Sequence, residues 1–241
     1  MSDDRLSEKA FASNVAWFAR ALQLNDSFYP TGAYAHSFGL EGLVEQGVVR
    51  DRETLREYVF ASLIPALARN EMPLACHASR GFAEQNWDLV GEVSLLSAAI
   101  KSSREARVAS ENIGRQRAEL CASLHKSELA REYLERSQRE GWPYSSAVSC
   151  ALEGHVIGMP RDAILASMFY SAVSTLLAAA MKLLRIGQNG SQSLLTEAMS
   201  HATKTISAAQ NVALTEIGWF NPWLDIAAAR HERAEARLFI S

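Results

Sequence analysis

Cysteine is scarce in this chain: Cys76, Cys121 and Cys150 stand far apart in 241 residues, with no Cys-x-x-Cys pair. An odd, scattered set excludes a disulfide framework and predicts reduced thiols in a cytoplasmic protein. A basic excess is missing too. With 24 basic and 27 acidic side chains the formal net charge is −3, which argues against nucleic acid as a partner. The phosphate-binding loops Gly-x-x-x-x-Gly-Lys-Ser/Thr and Gly-x-Gly-x-x-Gly do not occur, so no nucleotide chemistry is expected of the chain itself. Neither a Gly-x-Ser-x-Gly elbow nor a local cysteine-nucleophile signature is present. The six histidines (His36, His77, His125, His155, His201, His231) never fall three or four apart, so no helix presents a paired imidazole site. His231-Glu232-x-x-Glu235 carries a carboxylate where a zincin helix needs its second imidazole. No catalytic residue, cofactor or bound metal is therefore expected. Alternating β-branched runs and repeats of about 20–50 residues are also absent.

What is present is helical periodicity. Apolar residues make up 48% of the chain, enough for one large domain with a real core. Asn14 to Leu24 carries Val15, Trp17, Phe18, Leu22 and Leu24 on a helical face. Asp51 is placed to cap a helix bearing Leu55, Tyr58, Val59, Leu63 and Leu67, which Pro65 kinks or splits. Pro73 suits the first turn of a helix through Phe82, and Asp88 heads another. Ser102 with Glu105 has the form of a capping box opening the next helix. Ser127 to Gln138 and Ser145 to Ile157 follow, closed near Gly141 and Gly158. Pro160 opens an uncharged helix that runs to Gly187. Gly187 to Gln192 reads as a sharp polar turn, and a long helix from Ser191 to about Glu216 follows it. The expectation is an all-α fold: a single-domain helical bundle of about ten helices spanning residues 1–241.

The uncharged stretch from Ala163 to Met181 is long enough to cross a membrane. It holds Ser167, Ser171, Ser174 and Thr175 and is closely flanked by charges. It is read instead as a helix buried on all sides, with no membrane involved. The acidic, polar Met1-Ser2-Asp3-Asp4-Arg5 does not read as a secretory signal.

The richest stretch for function is Tyr29 to Gly42. Pro30 fixes its φ and lacks a donor, while Gly32 accepts positive φ, giving a tight turn over Pro30–Ala33. His36 or Ser37 is then placed to cap a short helix with Phe38, Leu40 and Leu43 that stops at Gly47. Tyr34, His36 and a hydroxyl are thus crowded beside a rigid corner. One reading is a packed loop satisfying backbone groups; another is an acid/base pair, Tyr34 and His36, in a small-molecule pocket. A direct metal carrier built on Cys76 and His77 is a third. The other unusual feature is the chain end, Arg237-Leu238-Phe239-Ile240-Ser241, with three bulky apolar side chains. Either it docks back on the bundle or a partner receives it. Arginine and aromatic residues are enriched among interface anchors, and Arg230, Arg233 and Arg237 flank it.

Taken together, Pro30-Thr31-Gly32-Ala33-Tyr34-Ala35-His36-Ser37-Phe38-Gly39-Leu40-Glu41 resembles the signature of the urease accessory protein UreF family. Ser103-Arg104-Glu105-x-Arg107 with Ser110 and Gly114 is similar to the family's middle motif. Gly187-Gln188-x-Gly190-x-Gln192 and Arg237-Leu238-Phe239-x-Ser241 match in the same order. The resemblance implies a cytoplasmic, non-enzymatic component of a nickel-delivery complex. Such a protein forms a homodimer, binds the accessory protein UreD (UreH in some systems), recruits the GTPase UreG and helps bring Ni²⁺ to apo-urease. It implies a partner-binding surface at Tyr34, His36, Ser37, Glu41, Lys182 and Gln188. It also implies a partner-docking tail over 222–241 with Arg230, His231, Arg233, Arg237, Leu238 and Phe239. Two departures stand out: Lys182 and Arg185 fall where the family often has arginine and proline, and Ala33 falls where a second glycine is common. Lysine keeps the charge without the forked geometry, and losing the proline leaves the helix before the second turn free to extend.

Overall fold

The computed structural model describes residues 15–33, 37, 39–221 and 239. Helices run from α1 (residues 15–24) and α2 (Leu40–Glu45) through α3 (Arg52–Tyr58), α4 (Ile64–Ala66), α5 (Met72–Ala83) and α6 (Trp87–Ala99). They continue with α7 (Arg104–Leu124), α8 (Glu128–Glu140), α9 (Ser146–Val156), α10 (Arg161–Leu183), α11 (Gly187–Met199) and α12 (Ala202–Gln210). A 3₁₀ turn, Leu214–Glu216, follows, and no strand occurs among the described residues. The fold is all-α, a single-domain helical bundle.

Most ends are set by the chemistry expected of them. Asp51 and Thr54 form a reciprocal capping box at α3, and Ser127 and Ser145 each accept an amide from the first turn of α8 and α9. Gly141 closes α8 at φ +70°, where a side chain would be strained. Two caps shift by a residue or two. Asn86 rather than Asp88 caps α6, and Ser103 rather than Ser102 caps α7.

Neither Pro65 nor Pro73 breaks the rod from Arg52 to Ala83. The backbone ladder widens to π spacing over Val59–Leu63 and Leu67–Glu71, just ahead of each ring, which makes room for it. Pro73 has no amide for the carbonyl of Arg69, four residues back. The amide of Gly218 donates to that carbonyl instead, at 3.1 Å. A helix defect is thus repaired by the segment leaving α12, which Asn221 also pins through Ser62 at 3.0 Å.

The core lies around α5 and α9, with α7, α6, α10 and α12 packed against them. Close helix approach is purchased with glycine at Gly114, where an added Cβ would stand 2.5–2.7 Å from the backbone of Ser145. A second, smaller cluster joins Ala21, Leu24 and Tyr29 to Cys150, Ile157, Met159 and Ile164. It is the apolar seat of α1.

Three expectations need correction. The uncharged α10 is not buried on all sides: Ile164, Leu165, Phe169, Val173, Leu176, Leu177, Ala179 and Ala180 face the core, whereas Tyr170 and Met181 are exposed and Ser167, Ser171 and Thr175 line an open cavity. Among the described residues it is the one helix long and apolar enough to cross a membrane, and 44% of its most apolar stretch is buried in the bundle. Without the proline, α10 still ends at Leu183, because Leu184 turns to extended backbone. Gly187 to Gln192 is therefore not the turn but the start of α11, and the long helix expected after it divides into α11 and α12.

Candidate functional site

The corner takes the expected shape. Gly32 has φ +78°, the Thr31 amide donates to the Tyr29 carbonyl at 2.8 Å, and the Ala33 amide reaches the Thr31 hydroxyl at 3.5 Å. Tyr34 and His36 lie outside the described residues. Ser37 is fully buried, and its hydroxyl accepts the Glu41 amide at 3.3 Å, while its carbonyl accepts the Leu40 amide at 3.1 Å. Its part here is to start α2, with Gly39 at φ +80° as the cap position.

Glu41 is 4% exposed. A buried carboxylate needs donors, and one comes from the far end of the chain: the Phe239 amide donates to Glu41 Oε2 at 3.1 Å. The Phe239 ring is 5% exposed and sits under the Lys182 ammonium, whose Nζ is 5.3 Å from the ring centre. Lysine in the arginine position thus still supplies a cation over an aromatic face. Glu41 from α2, Lys182 from the last turn of α10 and Phe239 from the carboxyl end meet at one junction. Phe239 itself docks on its own bundle. Gln188, on the first turn of α11, is exposed. Arg230, His231, Arg233, Arg237 and Leu238 lie outside the described residues.

Of the residues matching the middle motif, Ser103, Ser110 and Gly114 are structural. Ser103 caps α7, the Ser110 hydroxyl accepts the Ser146 amide at 3.2 Å, and Gly114 lets α7 touch the start of α9.

Sequence reasoning missed the most buried charge of the region. Glu153 of α9 is 0% exposed. Arg117 of α7 donates to its Oε2 at 2.6 Å, the Tyr29 phenol donates to its Oε1, and His125 Nε2 lies 3.9 Å away. Burial, with the Glu153 charge beside it, pushes the Tyr29 phenol well above the usual tyrosine range. A signal was available: Glu153 is the one charged residue in the otherwise apolar and small-residue run Ser146–Gly154.

A cavity of about 670 Å³ opens between the α3–α5 rod, α7 and α10. Ala33 and Gly39 of the corner reach its wall. Its charged groups are engaged: Lys101 holds Glu71 at 2.9 Å and Arg117 holds Glu153. Among the described residues no three His, Cys, Asp or Glu side chains gather as a metal cluster. Burial pushes the Cys76 thiol up to about 11, which disfavours the thiolate that a metal needs. His77 turns away and donates from Nε2 to the Val212 carbonyl at 3.0 Å.

The comparisons bear on this arrangement. Residues 49–199 match the UreF family model. The chain is 27% identical over 221 residues to the urease accessory protein UreF of Bacillus sp. (strain TB-90), covering 91% of this chain and 97% of that one. It is 29% identical over 224 residues to urease accessory protein UreF 1 of Brucella melitensis, 91% of each chain. Its identity to UreF of Lachnoclostridium phytofermentans is also 29%, over 226 residues and 91% and 96% of the two chains. These are named as accessory proteins and not as enzymes. A matched family model over α3–α11, and relatives aligned across most of the corner-to-cavity frame, place the chain in the UreF family of urease accessory proteins.

Proposed function

We propose that this chain acts in urease maturation as a cytoplasmic adaptor that forms a homodimer, binds UreD/UreH and recruits the GTPase UreG, so that Ni²⁺ is delivered to apo-urease. The GTP chemistry belongs to the partner. Nickel is cargo of the assembly and needs no resident site here. The observation that carries the reading is the junction of Glu41, Lys182 and Phe239. Segments that resemble the family's opening and closing motifs, 198 positions apart, are joined there by a hydrogen bond, and Lys182 beside the third motif covers the same ring. The surface around that junction, together with Tyr34, His36 and the tail from Arg230 to Leu238, which lie outside the described residues, is the proposed partner face.

The test is co-purification with UreD and UreG, using the full chain and a chain ending at Arg230. The full chain is expected to bring down both proteins. The shortened chain should lose UreD while keeping its helical circular dichroism. Retention of UreD by the shortened chain removes the tail from the partner face, and failure of the full chain to bind either protein ends the adaptor reading. Light scattering reads the dimer in the same samples.

A further inference from the structure

α1 and Tyr29, where the corner begins, are seated in a cluster separate from the main core. Their apolar contacts are Ala21, Leu24 and Tyr29 in the smaller cluster. Their polar ties are few and specific. Asn25, just past α1, donates to the Ala21 carbonyl at 2.7 Å and to Ser167 of α10. The Tyr29 phenol donates to Glu153. Glu153 in turn is locked to Arg117 at 2.6 Å, and the Arg117 guanidinium lies 5.9 Å from the Tyr29 ring centre. Pro30 follows Tyr29 directly, so wherever Tyr29 is held the rigid turn is held too.

A buried ion pair is a poor device for raw stability, because desolvation consumes most of the attraction. Its use is directional: a fully buried carboxylate with one oxygen held by Arg117 offers the other to the phenol in one place only. We propose that Glu153, oriented by Arg117, is a positioning residue for the partner face: it fixes Tyr29 and so sets where the corner presents itself. The inference rests on the adaptor reading for its consequence, though not for its geometry. Tyr29 and Glu153 act on a partner only through the corner.

Tyr29→Phe is the decisive variant, since it keeps the ring in the smaller cluster and removes only the donor. A hydrogen bond to a charged group is worth about 10- to 100-fold in a local equilibrium. Hydrogen exchange at the Tyr29 and Thr31 amides and in α1 should therefore quicken by about that factor, with α5 and α9 unchanged. UreD co-purification by Tyr29→Phe should fall in parallel. Val93→Ala, in the buried face of α6, lowers stability without touching the corner and should leave UreD binding intact. No rescue of Tyr29→Phe is expected from adding Glu153→Gln, which weakens the acceptor. Unchanged exchange at Tyr29 and Thr31 overturns the lock, and quickened exchange with undiminished UreD binding overturns the positioning role. If the unaltered chain fails to bind UreD, the adaptor reading falls instead, and the exchange measurement alone decides the lock.

Discussion

The amide of Phe239 and the carboxylate of Glu41 meet at 3.1 Å, and the contact is buried on both sides. It couples Phe239 to α2 and gives its side chain a defined seat. Removing the ring by Phe239→Ala forfeits roughly 1.5–3 kcal/mol of side-chain burial. The expected result is a lower urea midpoint with an unchanged m value. A midpoint equal to that of the unaltered chain means that the seat contributes nothing.

Glu153 offers a sharper contrast. Glu153→Ala leaves the Arg117 guanidinium buried without its counter-charge, at a cost of about 3–5 kcal/mol. Replacing both, as Arg117→Met with Glu153→Leu, removes the charge problem and should recover most of that loss. Denaturant unfolding of Arg117→Met, Glu153→Leu and the double gives the coupling energy. Additive losses would show that the two side chains act independently.

How far the sequence foretold this molecule depends on distance along the chain. Helix class, the Asp51 cap and the Gly32 turn were legible, because each is fixed by neighbours within about four positions. The partial exposure of α10 was not: an uncharged run with serines reads the same whether those serines meet another helix or a cavity. Nor was the start of α11: a glycine among polar residues reads as a turn, and Gly187, at φ +64°, opens a helix instead. Glu153 with Tyr29 joins positions 124 apart, and no periodicity carries that information. Of the expected partner-face residues, the structure brings Glu41, Lys182 and Phe239 together, buries Ser37, and leaves Gln188 apart on α11.

Alkaline pH should weaken the fold in a defined order. Burial pushes the Cys121 thiol up to about 12 and the Cys76 thiol to about 11, against about 8.5 in an unfolded chain. Raised folded values mean that the unfolded state loses protons first. The contribution is complete below about pH 8.5 and is lost as pH climbs towards the folded values. Tyr133, pushed up to about 12, and Tyr29 add a second decline above about pH 10. Urea unfolding at pH 7.5, 9 and 10 reads the slope, and a Cys76→Ala, Cys121→Ala variant should flatten its first part.

Gly114→Ala tests the α7–α9 contact. The new Cβ would meet backbone atoms of Ser145 at 2.5–2.7 Å, and backbone cannot swing aside as a side-chain tip can. Overpacking of this kind costs about 1–3 kcal/mol or more. The melting temperature should drop by several degrees, and unchanged melting would mean that the two helices part without cost.

Gly190 is the opposite case. It stands inside α11, and its nearest neighbour for an added Cβ is Arg52 Cδ at 3.9 Å, so packing gives no reason for glycine. A glycine in a helix interior loses about 0.5–1 kcal/mol to alanine. Gly190→Ala should therefore raise the melting temperature by about 1–4 °C. Gln188, two residues earlier in the same first turn, is exposed, which makes this end of α11 a candidate for close approach by another protein. On the adaptor reading, the stabilised Gly190→Ala variant should bind UreG or UreD less well, because a methyl group now stands where a partner backbone would come near. A variant that is both more stable and fully competent in co-purification excludes the start of α11 from the partner face. One that is less stable shows that the glycine serves the fold after all.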